Sequence, residues 1–189
     1  MRMHQRCLVR SVLALGFVFG VACDDSQAEP AAARSPYVDQ KSSPIRGLSE
    51  REIDDLSLGR GMGLARAAEL NGYPGPRHVL DLRGELALSP AVVAQVEAIF
   101  ESMESDARRT GQEILTEEAA LDLAFREATI TRDALTMRAE SLAQLYARLR
   151  AIHLGAHVAT KQLLSAAQVS NYDALRGYGK PSGHHGHGS

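Results

Sequence analysis

Between Leu88 and Tyr172 the chain carries two long amphipathic runs bracketed by helix-start phrases, Leu88-Ser89-Pro90 before the first and Leu164-Ser165-Ala166-Ala167-Gln168 after the second. In the first run, apolar residues recur at Val92, Val96, Phe100, Met103, Ala107, Ile114, Leu121 and Phe125. That spacing of three and four draws one stripe down a helix. The second run repeats the pattern at Leu135, Leu142, Leu145, Leu149, Ile152, Ala156, Ala159 and Leu163, close to a heptad seam. Ser89 is placed as an N-cap with Pro90 in the first turn, where a missing N–H costs nothing. The β-branched stretch from Ala128 to Arg132 marks the reversal, with Thr131 as the second cap.

The expected fold is therefore all-α: a long antiparallel helical hairpin with short N-terminal helices and a C-terminal helix packed back on it. Each arm of ~35 residues is roughly 50 Å long. A lone hairpin cannot bury both flanks, so the short helices or a second copy of the chain must cover the rest, and a homodimer is expected. Composition suits this packing. With no tryptophan, four phenylalanines and five tyrosines, the core has to come mostly from Leu, Ala, Val and Ile.

Upstream, Ser49-Glu50-Arg51-Glu52 forms a capping-box pattern that opens a short helix running to Leu58. Gly59, Gly61 and Gly63 then bend the chain before Leu64 to Leu70, and Asn71-Gly72 supplies a left-handed cap. The glycine run has neither the preceding strand nor the lysine of a phosphate loop, so it reads as a bend. Pro74-Gly75-Pro76 turns the chain into a further short helix expected over His78 to Leu86. After the hairpin, Ser165 and Gln168 form a second capping box, with Val169, Tyr172 and Leu175 placed to dock the last helix.

Residues 1–23 hold Arg2, Arg6 and Arg10 followed by an uncharged, mostly apolar run from Ser11 to Ala22. This is the layout of a secretory signal. About 12 apolar residues span only ~18 Å as a helix, too little for a bilayer core of roughly 30 Å. Phe19-Gly20-Val21-Ala22-Cys23 resembles a lipobox, which makes Cys23 the lipid-attachment residue and the chain a lipoprotein anchored to a membrane. Cleavage after Ala28 is the alternative. The only other cysteine, Cys7, lies inside the signal, so the mature chain has no intramolecular disulfide. Residues 24–46 are polar, with three prolines and no apolar period, and read as a disordered tether. Residues 47–178 form the helical domain, and 179–189 are a flexible tail rich in histidine.

A net charge of −2 gives no basic face for nucleic acid, so no nucleic-acid partner is expected. Catalytic signatures are missing too. There is no usable thiol, no serine elbow and no His-Glu-x-x-His run, so an enzyme is not expected.

Metal chemistry has better candidates. His153 and His157 stand four apart on the return helix, which puts both imidazoles on one face ~6 Å apart, a suitable bite for Zn, Cu, Ni or Co. Folding the hairpin near residue 130 brings Glu101 and Glu104 opposite them to complete a mixed nitrogen and oxygen site. The competing reading is two partly exposed histidines paired with those carboxylates. In the tail, His184, His185 and His187 form a loose metal-capturing tract. Glu118 and Asp122 are read as a solvated helix face, and Met103 as core, although Met62, Met103 and Met137 are also possible soft ligands. No organic cofactor is expected.

The phrase Leu-Thr/Ser-x-x-Gln, twice around a helical hairpin behind an export signal, resembles the LTxxQ motif of the Spy/CpxP family of periplasmic chaperones. It is also similar to their heavy-metal relatives, the ZraP-like and CnrX-like proteins. Leu164 to Gln168 matches the phrase in full, whereas the first copy has Val92 where glutamine is expected. The stretches Tyr73-Pro74-Gly75-Pro76 and His153-Leu154-Gly155-Ala156-His157 also look like a branch of envelope proteins placed with that family. The resemblance implies an often dimeric periplasmic protein of the stress-response and heavy-metal-resistance kind. Such a protein holds unfolded clients on a concave surface, or binds metal and reports it to a membrane sensor or efflux system. CnrX-like proteins place their paired histidines in the N-terminal helix, where this chain has only His78, so that ligand set does not transfer whole.

Overall fold

The computed structural model describes residues 35–179. The expected export segment with Cys23, the first part of the expected tether, and the tail histidines His184, His185 and His187 lie outside the described residues. Within them the structure is all-α, with six α-helices and no strand. Helices α1 (Glu50–Ser57), α2 (Arg66–Glu69) and α3 (Pro76–Asp81) are short. Helices α4 (Pro90–Arg126) and α5 (Arg132–Gln162) are the long pair, and α6 (Ala166–Leu175) is the last helix among the described residues.

Local chemistry sets the boundaries. Ser49 Oγ accepts from the Glu52 amide while the Glu52 carboxylate accepts from the Ser49 amide, closing the first capping box. Ser165 and Gln168 close the second in the same way. Ser89 and Thr131 cap the two long helices through the amides of Val92 and Ala134. Each such cap satisfies a backbone donor that the first helical turn leaves unpaired. Helix α3 starts two residues earlier than its sequence suggests and stops at Asp81, because Pro76 occupies the first helical position and non-helical turns carry the chain on to Leu86. Residues of the expected tether also take on structure: Val38–Ser42 form a 3-10 turn, and Ile45 packs against the core.

The long helices pack along each other, α1 and α3 lie on α4, and α2 and α3 reach α5. This leaves two separate apolar clusters. One joins Leu48 and Leu56 to Ala107, Ile114, Leu142, Leu145 and Leu149 around the middle of the hairpin. The other gathers Val79, Leu86, Val96 and Tyr172 at its base, with Leu163 and Leu164 against it. Gly111 makes the first cluster possible: a Cβ there would lie 2.0 Å from the Leu56 carbonyl oxygen, so α1 rests directly on the α4 backbone.

The stripe read from sequence fades toward the hairpin tip. Phe125 is 54% exposed and Leu135 39%, beside exposed Leu123 and Met137, because no short helix reaches that far along the pair. Helix α6 docks through buried Tyr172, and its Gln168 and Asn171 amides donate to the carbonyls of Leu86 and Glu85. Leu175 stays exposed.

Candidate functional site

Between the two apolar clusters a cleft opens where the bend after α1 and the start of α3 cross the hairpin. It comprises two hollows of about 460 and 420 Å³ that share Gly61, His78, His153 and His157. Each is within the usual size range of small-ligand sites. The first hollow adds Phe100, Met103, Glu104 and Arg108 from α4, and the second adds Met62 and Glu69.

His153 and His157 reach this place because they lie one turn apart on α5, but they are not a matched pair on its flank: His153 falls in the buried row with Leu149, Ala156 and Thr160, and His157 is half-buried beside it. His153 is 4% exposed, and its Nε2 is buried without a hydrogen-bond partner. Burial, and then the neighbouring His157, hold its pKa below the ordinary imidazole value, so the ring is neutral with an available lone pair at pH 7. Gly61 passes close by: a Cβ there would meet Nδ1 and Cε1 of His153 at 3.8 Å.

The His157 ring is oriented from the other side. Its Nδ1 lies 2.7 Å from the Tyr73 carbonyl oxygen, which can only accept, and 3.6 Å from Glu69, so Nδ1 carries a proton and the neutral form of the ring has its lone pair on Nε2. Gly75 makes room for that edge, since a Cβ would come within 2.8 Å of Cε1 and 3.0 Å of Nε2.

Behind His157 stands Glu69, which no motif in the sequence singles out. Its carboxylate accepts from the hydroxyls of Tyr172 and Tyr178 and from the Gly75 amide, with Arg176 at 3.6 Å. One carboxylate thus ties α2, the Pro74–Pro76 turn and α6 together behind the cleft. No local spacing marks it, because its partners lie up to 109 positions away in sequence.

The expected carboxylates behave differently from the histidines. Glu104 lines the cleft but is paired with Arg108, one turn on along its own helix, at 3.1 Å. Glu101 is exposed and does not line the cleft. His78, by contrast, enters both hollows, where its Nδ1 is 3.7 Å from Asp81. Among the described residues no group of three or more His, Cys, Asp or Glu side chains is placed to hold a metal ion. Elsewhere on α4, Asp122 pairs with Arg126. Glu118 is half-buried rather than solvated: it accepts from Tyr146, and burial raises its pKa.

The buried imidazole makes stability pH-dependent. Below 6.5, the unperturbed histidine value, the unfolded chain takes up a proton at His153 that the folded chain resists. The metal-free protein is therefore expected to lose stability as pH falls below 6.5, levelling off once the lower folded-state value is passed. Urea unfolding across pH 5 to 8 should show that slope and its reduction in His153→Gln; equal slopes would mean that His153 titrates freely in the fold.

The LTxxQ-type resemblance rests on the residues quoted for it: no known protein family, curated protein or solved structure matches this chain.

Proposed function

We propose that this is an exported, non-catalytic envelope protein that binds a transition-metal ion in the histidine cleft and acts in periplasmic metal homeostasis. The observation that carries the reading is the state of the two imidazoles. His153 is neutral and holds a buried nitrogen without a partner, while His157 is locked by the Tyr73 carbonyl in the tautomer that leaves Nε2 free. An N–H donated to a backbone carbonyl is the usual support of a ligating histidine, since it fixes ring orientation and raises basicity. His78 lines both hollows as a third imidazole among the described residues. The signal-like N-terminus and Cys23 support export and lipid anchoring, and His184, His185 and His187 support capture of ions for the cleft.

The test is calorimetric titration of the full chain, with the three tail histidines changed to alanine, against Zn, Cu, Ni and Co. Saturable binding of one ion per chain is expected. His153→Ala with His157→Ala should weaken it by more than about 100-fold, beyond the roughly 10–100-fold typical of outer supports. Binding that survives the double substitution, or no binding at all, overturns the proposal.

One feature favours a second reading, an ATP-independent chaperone that holds unfolded clients. Leu123, Phe125, Leu135 and Met137 are all exposed near the hairpin tip. A chain that suppresses client aggregation equally well without its histidines would support that alternative.

A further inference from the structure

The donors around the cleft say which kind of ion it suits, on the premise that His153 and His157 bind one. Every carboxylate at its edge already has a partner: Glu104 has Arg108, Asp81 has Arg77 and His78, and Glu69 has Tyr172, Tyr178 and the Gly75 amide. Recruiting one as a ligand would break an existing pair. No cysteine lies among the described residues. What remains beside nitrogen is sulfur. Met103 lines the first hollow and Met62 the second, so each hollow holds one methionine along with the shared histidines.

Neither methionine sits where packing alone explains it. Met62 is 40% exposed and holds φ at 46°, the left-handed region that an unbranched non-glycine residue seldom occupies. Met103 is only half-buried although it lies on the α4 seam, and it also faces the groove on the opposite side of the hairpin beside Ile152 and Ala156. A thioether side chain with three rotatable bonds can swing into either hollow at little cost.

Imidazole with thioether and no free carboxylate is a soft donor set, which favours monovalent copper over the harder divalent ions. We infer that the cleft is a Cu(I) site in which His153 and His157 supply nitrogen and Met103 supplies sulfur, with Met62 closing the opposite side.

The experiment is an anaerobic competition between the full chain, tail histidines replaced, and the chromophoric chelator bicinchoninate for Cu(I), alongside the same titration with Zn. X-ray absorption at the copper edge reports whether sulfur is bound. Met103→Leu should weaken Cu(I) by about tenfold or more, remove sulfur from the copper shell and leave Zn affinity unchanged. Met137→Leu, at the distant hairpin tip, should change neither metal. A copper shell of nitrogen alone, or equal loss of Zn and Cu(I) in Met103→Leu, would overturn the sulfur assignment while leaving the histidine site standing. Failure of both metals to bind, or binding that persists without His153 and His157, would remove the site itself.

Discussion

Gly111→Ala should destabilise the protein strongly, by about 2 kcal/mol or more, even though alanine is the better helix former by about 0.8–1.0 kcal/mol. The added Cβ would fall 2.0 Å from the Leu56 carbonyl oxygen and 2.8 Å from its carbon, and neither belongs to a side chain that can swing away. To make room, α1 has to lift off α4. That pulls Leu56, 1% exposed, from its place against Ala107 and Ile114. Gly155→Ala is the matched control. It too lies inside a long helix, but nothing stands within 4 Å of where its Cβ would be, so only the helix preference acts and a gain of about 0.5–1 kcal/mol is expected. Urea unfolding of both variants gives opposite signs if α1 is seated directly on the α4 backbone. Two gains of similar size would show that the contact is absent in solution.

Tyr172→Ala is the second large effect, with a loss of about 3–5 kcal/mol, the usual cost of emptying a buried aromatic position. Tyr172 is fully buried with Val79, Leu86 and Val96, where it is the largest side chain in the cluster at the base of the hairpin. Its hydroxyl also donates to Glu69, so Tyr172→Phe separates the two contributions. That variant keeps the ring and removes one donor from a carboxylate that retains Tyr178 and the Gly75 amide, so its loss should be near about 1 kcal/mol. Thermal or urea unfolding measures both. Equal losses in the two variants would mean that the hydroxyl, and not the packed ring, anchors α6.

The parts of this fold that could be read from the sequence are those decided within a few residues. Ser49 with Glu52, Ser165 with Gln168, and the caps at Ser89 and Thr131 are contacts over three positions, and each appears where its spacing places it. The hairpin follows for the same reason. The extent of burial does not, since a periodic stripe says which face is apolar but not what covers it. Phe125 and Leu135 continue the stripe yet stand exposed, because none of the described short helices packs over that end of the pair.

The cleft divides along the same line. His153 and His157 share a face through helical spacing alone, whereas His78 joins them only because the Pro74–Pro76 turn carries α3 across the hairpin. Glu101 and Glu104 illustrate the limit of counting residues from a hairpin turn. Three positions separate them, yet one lines the cleft and the other points away to solvent, a rotation that depends on how the two helices face each other. Glu69 had no local signature at all.

The two apolar clusters have no continuous hydrophobic seam between them on the side where the short helices lie. The histidine cleft lies between them there, as a hollowed waist between two packed ends. Mechanical continuity from one end to the other therefore runs chiefly through the packed pair α4 and α5, like two rods passing through separate beads, with the Glu69 hydrogen bonds as the tie on the short-helix side. In such an architecture each bead can loosen with limited loss to the other. An ion held at the waist would act as a rivet, and its arrival would turn two loosely coupled halves into a body that opens as one.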